Sequence, residues 1–122
     1  MPKILLMEDE EIIIGLLQKK LDKEGYEISV ARDGEEGLNM IKEIWPDLIL
    51  LDINMPKMEG FRVMEEINKN PTLQRIPIIV MFDSPDSVDL KRAQALGAKD
   101  WFVKTELNLQ QILNKVVEQI GR

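Results

Sequence analysis

The chain has 122 residues, with 22 acidic and 16 basic side chains for a net charge of −6, and 44% of its residues are apolar. That is one domain's worth with enough apolar content for a core, too apolar for a disordered chain, and acidic enough to argue against direct binding to nucleic acid phosphates. It has neither cysteine nor histidine, which excludes disulfides, thiolate metal sites, a Ser-His-Asp triad and His-ligated zinc, and leaves chemistry to carboxylates, lysine, hydroxyls or a hard cation.

In chain order, Ile4-Leu5-Leu6-Met7 reads as a first strand, continuous in its apolar character and so covered on both faces. Ile13, Leu17 and Leu21 then fall on one face of a helix. Glu27-Ile28-Ser29-Val30-Ala31 alternates polar and apolar residues, which predicts a half-exposed edge strand. Asp33-Gly34 marks a turn before a second helix carrying Leu38, Ile41 and Trp45 on one face, and Pro46-Asp47 ends it. Leu48–Leu51 is a second fully apolar strand. Gly60, Val63, Met64 and Ile67 mark a third helix, Ile78–Phe82 a further strand, and Leu90, Ala93 and Leu96 a fourth helix stopped by Gly97. Trp101-Phe102-Val103 is the last strand, and Leu109, Ile112, Leu113, Val116, Val117 and Ile120 form the clearest helical stripe.

Five β–α units in succession predict an α/β fold: a doubly wound, five-stranded parallel sheet of flavodoxin-like order 2-1-3-4-5, with helices on both faces. One domain over residues 1–122 is expected, without linker or repeat. No apolar run approaches the roughly 18–20 residues that span a membrane and no signal peptide is visible, so a cytoplasmic setting without a membrane partner is expected.

In such sheets ligands bind beyond the carboxyl ends of the strands, at the switch point in strand order, here between strands one and three. Strand one ends in Glu8-Asp9, strand three in Asp52 and strand five in Lys104. Taken singly these have bland explanations: surface acids, charge at the N-terminus of a helix for Asp9 and Glu10, a turn residue, a solvated lysine. Taken together they place three carboxylates and one ammonium on one rim. Three adjacent acids require a counter-charge, and a hard divalent cation such as Mg²⁺ supplies it through oxygen ligands. A carboxylate beside Mg²⁺ and a lysine can attack phosphorus to give an aspartyl phosphate, a chemistry that needs positioning and neutralisation rather than histidine.

Over its whole length the sequence resembles the receiver domains of two-component response regulators. The resemblance lies in Lys3-Ile4-Leu5-Leu6-Met7-Glu8-Asp9-Glu10, in Pro46-Asp47-Leu48-Ile49-Leu50-Leu51-Asp52-Ile53-Asn54-Met55-Pro56 followed by Gly60, in Ala95-Leu96-Gly97-Ala98, and in Val103-Lys104. It implies that Asp52 accepts a phosphoryl group from a sensor histidine kinase, a phosphotransfer protein or a small donor. It further implies that Asp9, Asp52 and the backbone carbonyl of Asn54 hold Mg²⁺, that Glu8 acts through water, and that Lys104 contacts the phosphoryl group. Such a domain is not a conventional enzyme; it catalyses its own phosphorylation. A downstream effector protein, no direct nucleic acid contact, and a monomer or weak homodimer are the implied associations. Trp101 falls at the family's switch aromatic.

Three positions depart from the family pattern. Phe82 stands where a Thr or Ser hydroxyl ends strand four, and phenylalanine cannot donate a hydrogen bond to a phosphoryl oxygen. Beside it Asp83 replaces a small residue; at an assumed distance of about 8 Å its repulsion would be ~2 kcal/mol per unit charge at an effective dielectric of ~20. Thr105 follows Lys104 where many receivers have proline, so a trans peptide and some change in the loop and in the aim of Lys104 are expected. Phe82 and Asp83 keep open an alternative, a receiver-like interaction module that signals without phosphorylation. A haloacid-dehalogenase-like phosphatase fits poorly, because Asn54 stands where a second aspartate belongs and there is no room for a cap domain. Glu35-Glu36 and Glu65-Glu66 read as solvated helix faces, with partners such as Lys69. Met55 and Met58 flank the Asp52 loop, as packing or as contacts for a docking kinase.

Overall fold

The computed structural model describes residues 1–122. Five parallel strands, β1 (Lys3–Met7), β2 (Glu27–Ala31), β3 (Leu48–Asp52), β4 (Ile78–Phe82) and β5 (Asp100–Val103), form one sheet in the order 2-1-3-4-5. Between and after them run α1 (Glu11–Lys23), α2 (Gly34–Ile44), α3 (Gly60–Asn68), α4 (Ser87–Ala95) and α5 (Leu109–Ile120). Short 3-10 turns at Leu73–Arg75 and Lys104–Glu106 were not legible as periodicity.

Strand alternation builds a core on each face. Ile4, Leu6, Leu48, Leu50, Ile79, Met81 and Phe102 pack against α1 and α5. Leu5, Met7, Ile49, Leu51, Val80 and Phe82 pack with residues of α2, α3 and α4. Strand β2 has one free edge, and its residues 28–30 are only half buried, as its alternation predicts.

Helix boundaries follow local chemistry. The Asp33 side chain accepts from the Glu36 N–H and caps α2, and Asn108 does the same for α5 through Gln111. Asp86 and Asp89 form a reciprocal capping box on α4. Gly97, with φ +100, turns the chain after α4 toward β5.

Three expectations shift in detail. Trp45 does not extend the buried face of α2: the helix ends at Ile44, and Trp45 takes a left-handed conformation with its side chain 51% exposed. Pro46 disfavours a right-handed helical conformation at the residue before it, so the chain leaves the helix there. In α1 the fully buried face runs through Ile14, Leu17 and Leu21, with Ile13 at its margin. Leu96 lies one residue beyond α4 and packs there half-buried.

Gly60 is required by close approach. A Cβ on it would stand 2.6 Å from the Asp52 carbonyl oxygen and 2.7 Å from Ile53 Cα, so the loop after Asp52 is closed tightly on the start of α3. The Gly60 N–H donates to the Ile53 carbonyl at 2.8 Å, fixing that closure. Gly15 in α1 has open space at the same position. Gly60→Ala is therefore expected to cost ~1–3 kcal/mol, whereas Gly15→Ala gains up to ~1 kcal/mol by helix propensity; urea unfolding of the two variants beside the parent checks both signs.

Candidate functional site

The sheet register sets the site. Met7 pairs with Leu51, so the next residues, Glu8 and Asp52, emerge side by side from adjacent strands. Lys104 follows β5 directly, at the start of its 3-10 turn. All three are buried, Glu8 and Asp52 completely, while Asp9 is exposed at the mouth.

Glu8 folds back on its own loop: its Oε2 accepts from the Asp9 N–H at 2.8 Å and the Glu10 N–H at 3.2 Å. Its Oε1 lies 2.8 Å from Lys104 Nζ but without the alignment of a hydrogen bond, and no other group bonds it. Asp52 Oδ1 accepts from the Asn54 N–H at 3.0 Å, and its Oδ2 from Lys104 Nζ at 3.1 Å. The acid pair, Asp52 and Lys104 are thus brought together as the strand ends predict. The loop after Lys104 contains no cis peptide, as Thr105 in place of proline predicts, and the Lys104 ammonium reaches Asp52.

Glu10 escaped sequence reasoning, and Asp83 was legible only as a charge near the site, without its partners. Glu10 does not cap α1 with its side chain; its carboxylate accepts from Lys104 Nζ at 2.9 Å. Asp83 lies at the rim, as its place after Phe82 predicts, but also joins the charge cluster: Lys104 Nζ is 3.7 Å from its Oδ1, and the Asn54 side-chain amide donates to its Oδ2 at 2.9 Å. The run Glu8-Asp9-Glu10 was the only signal for Glu10. Nothing in the sequence marks the Asn54–Asp83 bond.

Phe82 ends β4 with its ring buried in the α2–α4 core, 2% exposed. Its ring meets that of Trp101 edge-on, at 6.2 Å between centroids and 76° between planes. Trp101 itself is 42% exposed. Met55 is buried and Met58 packs half-buried on the core, so both serve the loop's packing. Glu66 pairs with Arg62 of its own helix and with Lys69 just beyond its end, whereas Glu65 pairs with Arg92 of α4.

The electrostatics follow from burial. Removal from water, reinforced by the neighbouring Asp52 carboxylate and opposed by Lys104, pushes the Glu8 carboxyl up to about 8. Burial works against the Lys104 charge but is outweighed by Glu8, Glu10 and Asp52, which hold its pKa above the ordinary lysine value. One ammonium faces four carboxylates, so the cluster keeps negative charge in excess. Carboxylate oxygens of Glu8, Asp9 and Asp52 lie within 4.8 Å of one another. An all-oxygen donor set with surplus negative charge and an unbonded buried oxygen fits a hard divalent cation.

The sequence pattern of the response regulator receiver domain matches residues 4–117. The chain is 36% identical over 102 residues to the alkaline phosphatase synthesis transcriptional regulatory protein PhoP of Bacillus subtilis, covering 84% of this chain and 42% of that protein. It spans less than half the length of this and several other curated relatives. Its fold superimposes on the chemotaxis protein CheY4 of Vibrio cholerae with a TM-score of 0.91 at 28% identity, over 98% of this chain and 99% of that one. The receiver domain of the sensor histidine kinase PA1611 of Pseudomonas aeruginosa, whose structure has a magnesium ion coordinated in the active site cleft, shares the fold with a TM-score of 0.88 at 23% identity, over 99% of this chain and 98% of that one.

A raised carboxyl pKa means that the folded chain holds a proton the unfolded chain releases at its ordinary value of 4.5. The stability associated with Glu8 is therefore fully present below that value and is lost as pH rises through about 8. In chelator the melting temperature is expected to fall by several degrees between about pH 6 and pH 9, and added Mg²⁺ is expected to flatten this fall because it favours the ionised acids. Thermal melts across that range, with and without the metal, check the sign.

Proposed function

The chain belongs to the response regulator receiver family, and from that membership we propose that Asp52 is its phosphoryl acceptor and that residues 1–122 act as one receiver unit. The observation that carries this reading is the full burial of Asp52 beside Lys104 Nζ at 3.1 Å, within a cluster of acids at the carboxyl end of the sheet. A solvated turn aspartate would have neither.

An Asp52 carboxylate oxygen donates an electron pair to phosphorus. The bond from phosphorus to the leaving atom breaks, and its electron pair departs with the leaving group: the imidazole nitrogen of a phosphohistidine, or the oxygen or nitrogen of a small donor. A nitrogen leaving group departs neutral, carrying the proton it already bears in the donor or taking one from solvent. The Asn54 N–H on Oδ1 and the Lys104 ammonium on Oδ2 hold the carboxylate in position, and the same ammonium neutralises charge on the arriving phosphoryl oxygens. Asp9, Asp52 and the Asn54 backbone carbonyl would hold Mg²⁺, with Glu8 acting through water; when bound, the ion adds charge neutralisation at the phosphoryl oxygens. The magnesium in the active site cleft of the PA1611 receiver supports a cation at this rim, and the choice of ligands follows from the family resemblance.

Receiver domains work with histidine kinases on one side and effectors on the other, and a sensor kinase or phosphotransfer protein as donor, a downstream effector as target and a cytoplasmic setting complete the proposal. No helix is long and apolar enough to cross a membrane. One observation favours a second reading, an interaction module indifferent to phosphorylation: Phe82 offers no donor where the family's hydroxyl would stand and is locked in the core.

Intact mass after incubation with Mg²⁺ and acetyl phosphate or phosphoramidate tests the assignment. The expected outcome is a gain of one phosphoryl group that is lost in Asp52→Asn. A gain that survives Asp52→Asn moves the acceptor elsewhere, and no gain in a chain shown separately to bind Mg²⁺ supports the interaction module.

A further inference from the structure

Asp83 is the rim residue that the proposed chemistry does not use. Its carboxylate is half exposed, yet it is not free: Asn54 Nδ2 donates to Oδ2 at 2.9 Å, and Oδ1 lies 3.7 Å from the same Lys104 ammonium that bonds Asp52 at 3.1 Å. Both carboxylates therefore contact one cation, which puts these two oxygens no more than about 7 Å apart, where charges still interact appreciably in a partly desolvated cleft. Asn54 fixes Asp83 at the entrance to the cluster, and Phe82 beside it offers no hydrogen-bond donor, so this strand end meets an incoming phosphoryl group with negative charge.

We propose that Asp83 is a charge gate on the Asp52 site: tethered by Asn54 and competing for Lys104, it disfavours phosphoryl donors and the phosphoryl adduct in proportion to their negative charge. The inference rests on the assignment of Asp52 as acceptor. A phosphoryl group on Asp52 needs Lys104 for itself, and Asp83 both withdraws part of that cation and repels the anion. Acetyl phosphate reaches the site as a dianion at neutral pH and phosphoramidate as a monoanion, so the gate discriminates between them.

The test measures phosphorylation rates by intact mass in the Mg²⁺-supplemented full chain with each donor. Asp83→Asn keeps the size of the side chain and its carbonyl acceptor for the Asn54 amide while removing the charge. It is expected to speed reaction with acetyl phosphate about tenfold and with phosphoramidate about threefold, the charge effect being reduced from its buried value by solvent. The gain is expected to shrink at about 0.5 M salt, as a surface charge effect must. Asp83→Glu, which restores the charge, is expected to stay near the parent, and Asp83→Ser provides a second neutral variant. Equal acceleration with both donors, no acceleration or a slower reaction overturns the gate while leaving Asp52 as acceptor. Absence of phosphorylation in the parent and every variant overturns the acceptor assignment and the gate with it.

Discussion

The contact between the Lys104 ammonium and the buried carboxylates Glu8 and Asp52 is the interaction on which the site depends. Both acids are removed from water, and a buried carboxylate without a partner is among the costliest groups a fold can contain. Lys104 offsets that cost at a single point, from a strand end 52 residues beyond Asp52. The sheet order makes this possible: β1 and β3 are neighbours, so Glu8 and Asp52 emerge together, and the turn after β5 brings the lysine across β4 to meet them. One cation cannot neutralise this set, and the same excess of negative charge that makes Glu8 keep a proton would favour a divalent ion beside these acids.

Around this contact the chain is held rigidly where position matters. The Asp52 carboxylate is oriented by the Asn54 N–H, and the loop that carries Asn54 is pressed against the start of α3 at Gly60. Glu8 is oriented by two N–H groups of its own loop. The two cores on either face of the sheet fix the strand ends from which these loops leave. Phosphoryl transfer asks a protein chiefly for position and charge, and those are what a parallel sheet with strands buried on both faces provides at its rim.

The strand ends were legible in the sequence because topology alone places them. Uninterrupted apolar runs mark the strands, and the residue after each run lies at the rim whatever its side chain does. Glu8, Asp9, Asp52 and Lys104 could therefore be assembled before any coordinates. The bond of Glu10 to Lys104 and the contacts of Asp83 with Lys104 and Asn54 could not, because they depend on where a side chain turns within a local field of charge, and no periodicity records that. The phase of α1 was blurred for a related reason: Ile12-Ile13-Ile14 is apolar at three successive positions, and only packing selects Ile14 as the most buried. Trp45 was misassigned because a helical stripe does not show where the helix ends, although Pro46 did carry that information.

If Asp52 carries a phosphoryl group, Phe82 leaves the site without a hydroxyl to couple that group to the β5 face. A hydroxyl there would bond a phosphoryl oxygen and be drawn toward it, giving the two phosphorylation states different local structures. The Phe82 ring is buried among apolar side chains and has nothing to gain from the phosphoryl group except steric contact. What links it to the surface is its edge-on contact with the Trp101 ring, and such aromatic pairs contribute about 0.5–1.5 kcal/mol beyond their burial. A ligand or modification can shift a conformational equilibrium only by the free energy that differs between the two states. If this contact is the whole route from Asp52 to Trp101, the coupling through it is limited to about tenfold. A stronger response at the β5 face would require β4 and the Asp83 loop to move together, with Asp83 exchanging Lys104 for solvent as the phosphoryl group arrives. The same rim carboxylate that opposes phosphorylation would then be the group whose displacement reports it.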